Sequence, residues 1–129
     1  MEPPASARIP IAFAGQVSNE AQRTLDEVER FVQEKCIPAD AVFAQMLGKA
    51  AEERFAAHPR ILEDLKEEAR RRGLWNLFLP KGHYAEGAGY SNLEYGLMAE
   101  QLGKSQIASE VRYPRIPSSC RLTFTCSRP

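Results

Sequence analysis

The chain has 129 residues, 43% hydrophobic and 26% charged, with a mean hydropathy of -0.41, which fits one domain and excludes the disordered and membrane-embedded classes. Seventeen basic and seventeen acidic residues cancel, so a strongly basic nucleic-acid surface is excluded as well. The balance is uneven: residues 1–110 hold every acid and thirteen of the bases, while residues 111–129 carry four arginines and no acid, as if two unlike pieces were joined.

No apolar run approaches the ~20 residues that span a bilayer. Cys36, Cys120 and Cys126 are odd in number, with no CxxC pair and no nearby histidine to complete a zinc site. Residues 1–20 contain Glu2, Glu20 and three prolines, a poor amphipathic transit helix, and no targeting peptide is assigned. The ending Ser127, Arg128, Pro129 matches a peroxisomal signal only in its first two positions.

In chain order, residues 1–17 hold Pro3, Pro4 and Pro10 without a sustained period and read as a flexible arm, packing loosely through Ile9, Ile11 and Phe13. From Ser18 the steps of Leu25, Val28, Val32 and Cys36, widened by Phe31, predict an amphipathic helix. Ser18 or Asn19 caps its start, and Pro38 interrupts its ladder, after which an Ala-, Glu-, Gln- and Met-rich run predicts a resumed helix over 39–55.

Residues 59–74 give the strongest local signal. Pro59 opens the first turn, Glu63 and Asp64 lie early, and Arg70, Arg71 and Arg72 lie late, where they complement the helix dipole. Glu67 with Arg71 and Glu68 with Arg72 are spaced for pairing. Ile61, Leu62, Leu65 and Ala69 form the buried stripe, and Gly73 with Leu74 fits a left-handed cap folding back on Ala69. The run WNLFLP over 75–80 is expected to be buried and extended, followed by a glycine loop over 81–90.

Ser91, Asn92, Leu93 and Glu94 have the capping-box form, with Tyr90 and Tyr95 as staple, and predict a short helix over 92–102 ended by Gly103. A further helical start at 106–110 gives way to a proline- and arginine-rich stretch over 111–129. Leu122 and Phe124 alternate there, but no partner strand is in prospect and disorder is expected. The fold class is all-α: a partial helical bundle over 18–110 with disordered termini.

No constellation carries chemistry. Gly87, Gly89 and Ser91 lack the lysine and strand of a phosphate-cradling loop and read as a plain loop. Arg70, Arg71 and Arg72 read as a solvated helix end rather than a phosphate site. His58 and His83 are isolated from any nucleophile or carboxylate at triad spacing. Cys36, on the apolar stripe, reads as a small core residue. No residue is assigned as catalytic, cofactor-binding or metal-binding.

Residues 65–103 resemble the acyl-CoA dehydrogenase family. The resemblance rests on Leu65-Lys66 with Ala69, the GLWNLFLP run from Gly73, the Gly87 to Gly89 loop, and Glu100-Gln101-Leu102-Gly103. GLWNLFLP and SNLEY narrow it to the branch of family members ten and eleven, and FVQEKCIPAD resembles the first helices of that branch, so the likeness covers about 18–110. It implies an amino-terminal helical segment that walls an acyl-chain pocket in an FAD-dependent acyl-CoA oxidation of the fatty acid β-oxidation type, in mitochondria or peroxisomes. The flavin site and catalytic carboxylate of that family belong to later domains. The expectation is therefore a truncated member, inactive alone, with no cofactor bound by this chain, or a non-enzymatic fragment that docks on full-length dehydrogenase subunits. At Ser109-Glu110-Val111 the family pattern gives way to RYPRIPSSC, which points to a splice or frame change. Comparison of the genomic exon boundary with the Val111 codon tests this, with a boundary at or beside that codon the expected result.

Overall fold

The computed structural model describes residues 2–48, 50–52, 59–79, 82 and 85–112. The expectations for His58, His83 and the 113–129 tail, with Leu122, Phe124, Cys120 and Cys126, lie outside those residues. The described residues are helical and contain no strand, as the all-α reading requires. A 3-10 turn at Ala5–Arg8 is followed by α1 (Ile11–Ala14), α2 (Asn19–Phe31), a π-helical turn at Val32–Cys36, and α3 (Ile37–Met46). Helices α4 (Arg60–Arg71) and α5 (Asn92–Leu102) and a 3-10 turn at Glu110–Arg112 complete the order. α2 packs on α5, α3 on α4, and the last turn on α4.

α2 starts where expected, with Ser18 extended and its hydroxyl accepting from the Ala21 amide. Its stripe of Leu25, Val28 and Phe31, continued by Val32 and Cys36, is buried against Met98, Leu102, Leu74, Leu77, Ile107 and Val111. Fully burying a side chain such as Phe31 contributes about 1.5–3 kcal/mol, so this stripe dominates the association of α2 with its neighbours.

Pro38 shapes the chain one turn before its own position. Its ring has no amide hydrogen to donate and crowds the carbonyl of the preceding turn. The backbone widens instead of breaking: the Ile37 amide reaches back five residues to the Val32 carbonyl. One extra residue in that turn rotates everything downstream by about 100°. The resumed helix is interrupted: α3 ends at Met46, Gly48 adopts a left-handed φ of 74°, residues 51–52 are again helical, and 53–55 lie outside the described residues.

α4 ends as its sequence prescribes. Gly73 has φ 71°, its amide donates to the Arg70 carbonyl at 3.0 Å, and the Leu74 amide reaches the Ala69 carbonyl at 2.8 Å, a Schellman closure with Leu74 and Ala69 both buried. The run after it is not the expected extended segment. Asn76 turns left-handed with φ 57°, the Leu79 amide donates to the Asn76 carbonyl at 3.2 Å, and Leu77 is buried. With no neighbouring strand among the described residues, an extended run would leave its buried amides unpaired, whereas a turn satisfies them internally.

Two further expectations are corrected. Ile11 is 95% exposed and Phe13 42% exposed, so of the three apolar side chains expected to pack the amino-terminal segment, Ile9 does so and these two do not. The segment is also held through buried Ala5 and Val17 and through polar contacts to α2. The Ala5 amide donates to Glu29 at 2.8 Å, the Ser6 amide and hydroxyl both donate to Asp26 at 2.7 Å, and Arg8 pairs with Glu29. Around 106–110 the chain makes turns instead of a helix. Asp40 of α3 accepts from the Ser105 hydroxyl at 2.9 Å and from the Gln106 and Ile107 amides at 3.2 and 3.3 Å.

Nothing lies within 4 Å of a Cβ built on Gly73, so substitution there meets only the backbone penalty of a left-handed residue. Gly73→Ala is expected to lower stability by about 1 kcal/mol, read as a lower urea midpoint with unchanged m value.

Candidate functional site

The most connected polar group is the Glu94 carboxylate, which is only 8% exposed. One oxygen accepts from the Ser91 amide at 2.8 Å, while the Ser91 hydroxyl accepts from the Glu94 amide at 3.2 Å, completing the expected capping box of α5. The other oxygen accepts from the Ser18 amide at 2.9 Å, across 76 positions of sequence. One carboxylate thus closes the amino-termini of both α2 and α5, where the helix dipoles favour negative charge. Beside it, the Tyr90 and Thr24 hydroxyls share a hydrogen bond at 2.7 Å. Burial alone would push this carboxyl up, but the amides and hydroxyls of Ser91 and Ser18 outweigh it and hold the carboxyl at about 2. An acid held ionised and fully engaged as an acceptor is a structural clamp; it cannot serve as a proton-abstracting base near neutrality.

The double clamp also decides the fate of the Gly87, Gly89 and Ser91 loop. The Ser91 amide that would meet an anion already donates to Glu94, so the loop is a helix entry and not a cradle. The flavin that the resemblance implies would need phosphate donors, and the α2 and α5 amino-termini do not fit that role, because a buried carboxylate would repel a pyrophosphate there.

The arginine cluster is used within the fold. Glu68, not Glu67, holds Arg71, and it also meets Arg72 at 2.7 Å. Arg72 reaches Glu27 of α2 at 3.0 Å and stands 5.5 Å from the Phe31 ring centroid, while Arg70 lies 4.1 Å from that of Trp75. The hydrogen bond from Arg72 holds the Glu68 carboxyl below the usual range. Cys36 is fully buried, in keeping with its reading as a core residue. Among the described residues no group of three His, Cys, Asp or Glu side chains is arranged to hold a metal, and no helix is long and apolar enough to cross a membrane.

Two concavities went unseen in the sequence. One, of about 350 Å³, lies between the amino-terminal segment, α2 and α5, with Arg8, Lys104, Glu2 and Glu100 over Leu25 and Leu97. Gln101 lines it, and its buried Oε1 has no hydrogen-bond partner among the described residues. The other, of about 410 Å³, is an open groove between α3 and α4 floored by Pro38, Ala39, Val42, Ile61 and Leu65. Both depend on helix packing, which no local motif encodes.

Comparison with known proteins supplies what the geometry alone does not. Acyl-CoA dehydrogenase family member 10 of Mus musculus is 33% identical over 116 residues, 88% of this chain and 9% of that protein. Acyl-CoA dehydrogenase family member 11 of Gallus gallus is 40% identical over 96 residues, 73% of this chain and 12% of the relative. Probable acyl-CoA dehydrogenase FadE2 of Mycobacterium tuberculosis is 49% identical over 53 residues, 40% of this chain and 12% of that protein. The chain spans about a tenth of the length of the curated relatives it matches, and over that span its similarity is to the branch of family members 10 and 11. No family model matches, and no solved structure matches.

Because Glu94 titrates below its ordinary value of 4.5 when folded, its contribution is complete above about pH 4.5 and is lost as pH falls towards about 2. Its size is on the order of 3 kcal/mol. Glu94→Ala is expected to remove about 2–4 kcal/mol at neutral pH, since it strands two helix-end amides. Urea unfolding from pH 7 to pH 2.5 checks this: the wild type loses stability over the acid limb, and the variant loses less.

Proposed function

We infer that this chain contains the amino-terminal helical segment of an acyl-CoA dehydrogenase of the branch of family members 10 and 11, and that the segment by itself carries out no redox step. The observation that carries the reading is the alignment over 73–88% of the chain with members of one branch, at a tenth of their length. In the parent reaction a carboxylate removes the α proton of an acyl thioester and the β hydride passes to FAD. Several carboxylates of this segment are committed to holding the fold. Glu94 clamps two helices, Glu29 holds the amino-terminal segment, Asp40 caps the turn after α5, and Glu27 and Glu68 pair with Arg72. The segment's part in the parent is therefore to build a wall of the fold, with FAD and acyl-CoA handled by other domains, in a mitochondrial or peroxisomal setting.

A second reading, docking on a full-length dehydrogenase subunit, is favoured by the apolar side chains that α3 leaves exposed, Ile37, Val42 and Met46. Co-purification of the tagged chain with a dehydrogenase subunit tests it.

For the leading reading, the purified chain is expected to show no flavin absorbance after incubation with FAD and gel filtration. It is also expected to give no enoyl thioester from acyl-CoA with an artificial electron acceptor. Stoichiometric yellow flavin with thioester desaturation would overturn it.

A further inference from the structure

The amino-terminal segment is attached to the fold in two separate places. The turn at Ala5–Arg8 packs on α2, residues 10–16 are exposed throughout, and Val17 is buried again, next to the Ser18 amide that Glu94 holds. A wholly exposed connector thus separates a tied piece from an anchored one. The tied piece adheres mainly through charge. Among its apolar side chains only the small Ala5 is fully covered, with Ile9 partly so. The Ala5 amide donates to Glu29, the Ser6 amide and hydroxyl donate to Asp26, and Arg8 pairs with Glu29. All of these contacts end on two carboxylates three positions apart, on one side of α2.

Release of the tied piece strands no charge. Glu29 also meets Lys104 at 3.7 Å and Gln33 at 3.3 Å, both from outside the segment. Asp26 is only partly buried, so water replaces Ser6 there. Arg8 keeps Glu2, which moves with it. A buried pair is hard to open when one partner is left alone, and here each charged group has a second partner or solvent. Few buried apolar contacts and partly exposed hydrogen bonds are the marks of a region that opens locally, below the free energy of global unfolding. What the piece covers is the cavity of about 350 Å³. Half of its lining residues, Glu2, Ala5, Arg8, Ile9 and Pro10, come from this segment, over Leu25 of α2 and Gln101 of α5, whose buried Oε1 has no hydrogen-bond partner among the described residues.

We propose that residues 2–9 form a strap that swings off α2 as one unit on the 10–16 connector while the rest of the fold stays closed, with Asp26 and Glu29 as its latch, and that this opening is the way into the cavity over Leu25 and Gln101. The latch is polar and finds other partners when released, whereas the apolar core behind it has none and stays shut.

Native-state hydrogen exchange of the full chain, read at single amides, tests the strap. The Ala5 and Ser6 amides are expected to share one protection factor, about a hundredfold or more below those of Val28 and Phe31 in α2. Asp26→Asn is expected to lower the protection of both by the same factor, roughly tenfold, although Ala5 bonds Glu29 and not Asp26. Thiol labelling mapped by peptide mass tests the route into the cavity. A thiol introduced by Leu25→Cys is expected to label faster than the fully buried Cys36 of the same molecule, by about the factor that separates Ala5 from Val28. Should that variant lose helicity, Ala5→Cys, a smaller change on the same cavity wall, gives the same comparison. Protection of Ala5 equal to that of Val28 would overturn the proposal, since the segment would then open only with the whole fold. A loss on Asp26→Asn confined to Ser6, or an introduced thiol no faster than Cys36, would overturn it as well.

Discussion

The described fold depends on one ionised carboxylate placed where two helices begin. α2 and α5 make the central contact of the core, and their starting turns are 73 positions apart in sequence, counted from Ser18 to Ser91. Each start leaves amides with no partner inside its helix, which is tolerable in water and expensive under a packed core. Glu94 answers both with its two oxygens. Partial positive charge at both ends, together with direct donors, keeps the group charged despite its burial, and so the two helices are fixed in register as well as packed.

A second constraint follows from Pro38. Because its ring cannot join the ladder, the chain inserts a residue into the preceding turn, and the buried side of α2 and the exposed side of α3 become different sides of one nearly continuous rod. The core of α2 is thereby closed by α5, Leu74, Leu77 and the last turn, whereas α3 is left half-covered by α4. An apolar sequence and an exposed position coexist because the backbone separates them.

Charge in this segment is spent on geometry. Asp26 and Glu29 hold the amino-terminal segment to α2, Asp40 caps the turn after α5, and Arg72 ties α4 to α2. Groups that serve as ligands or bases elsewhere are here held in ion pairs and caps.

How much of this was legible depends on the range of each interaction. The Ser18 cap, the Ser91 to Glu94 capping box and the Gly73–Leu74 closure join residues within about five positions, and the sequence determined them, along with the helical class and the family likeness in motifs such as GLWNLFLP. The turn at Asn76, the second duty of Glu94 toward Ser18, the reach of Arg72 to Glu27 and the grip of Asp40 on Ile107 were decided by tertiary structure alone. Their partners lie far apart in sequence or compete with equally plausible local ones, as Glu67 competed with Glu68 for Arg71. A local pattern fixes which amides and charges need partners; only the packed chain brings a distant partner within 3 Å of them.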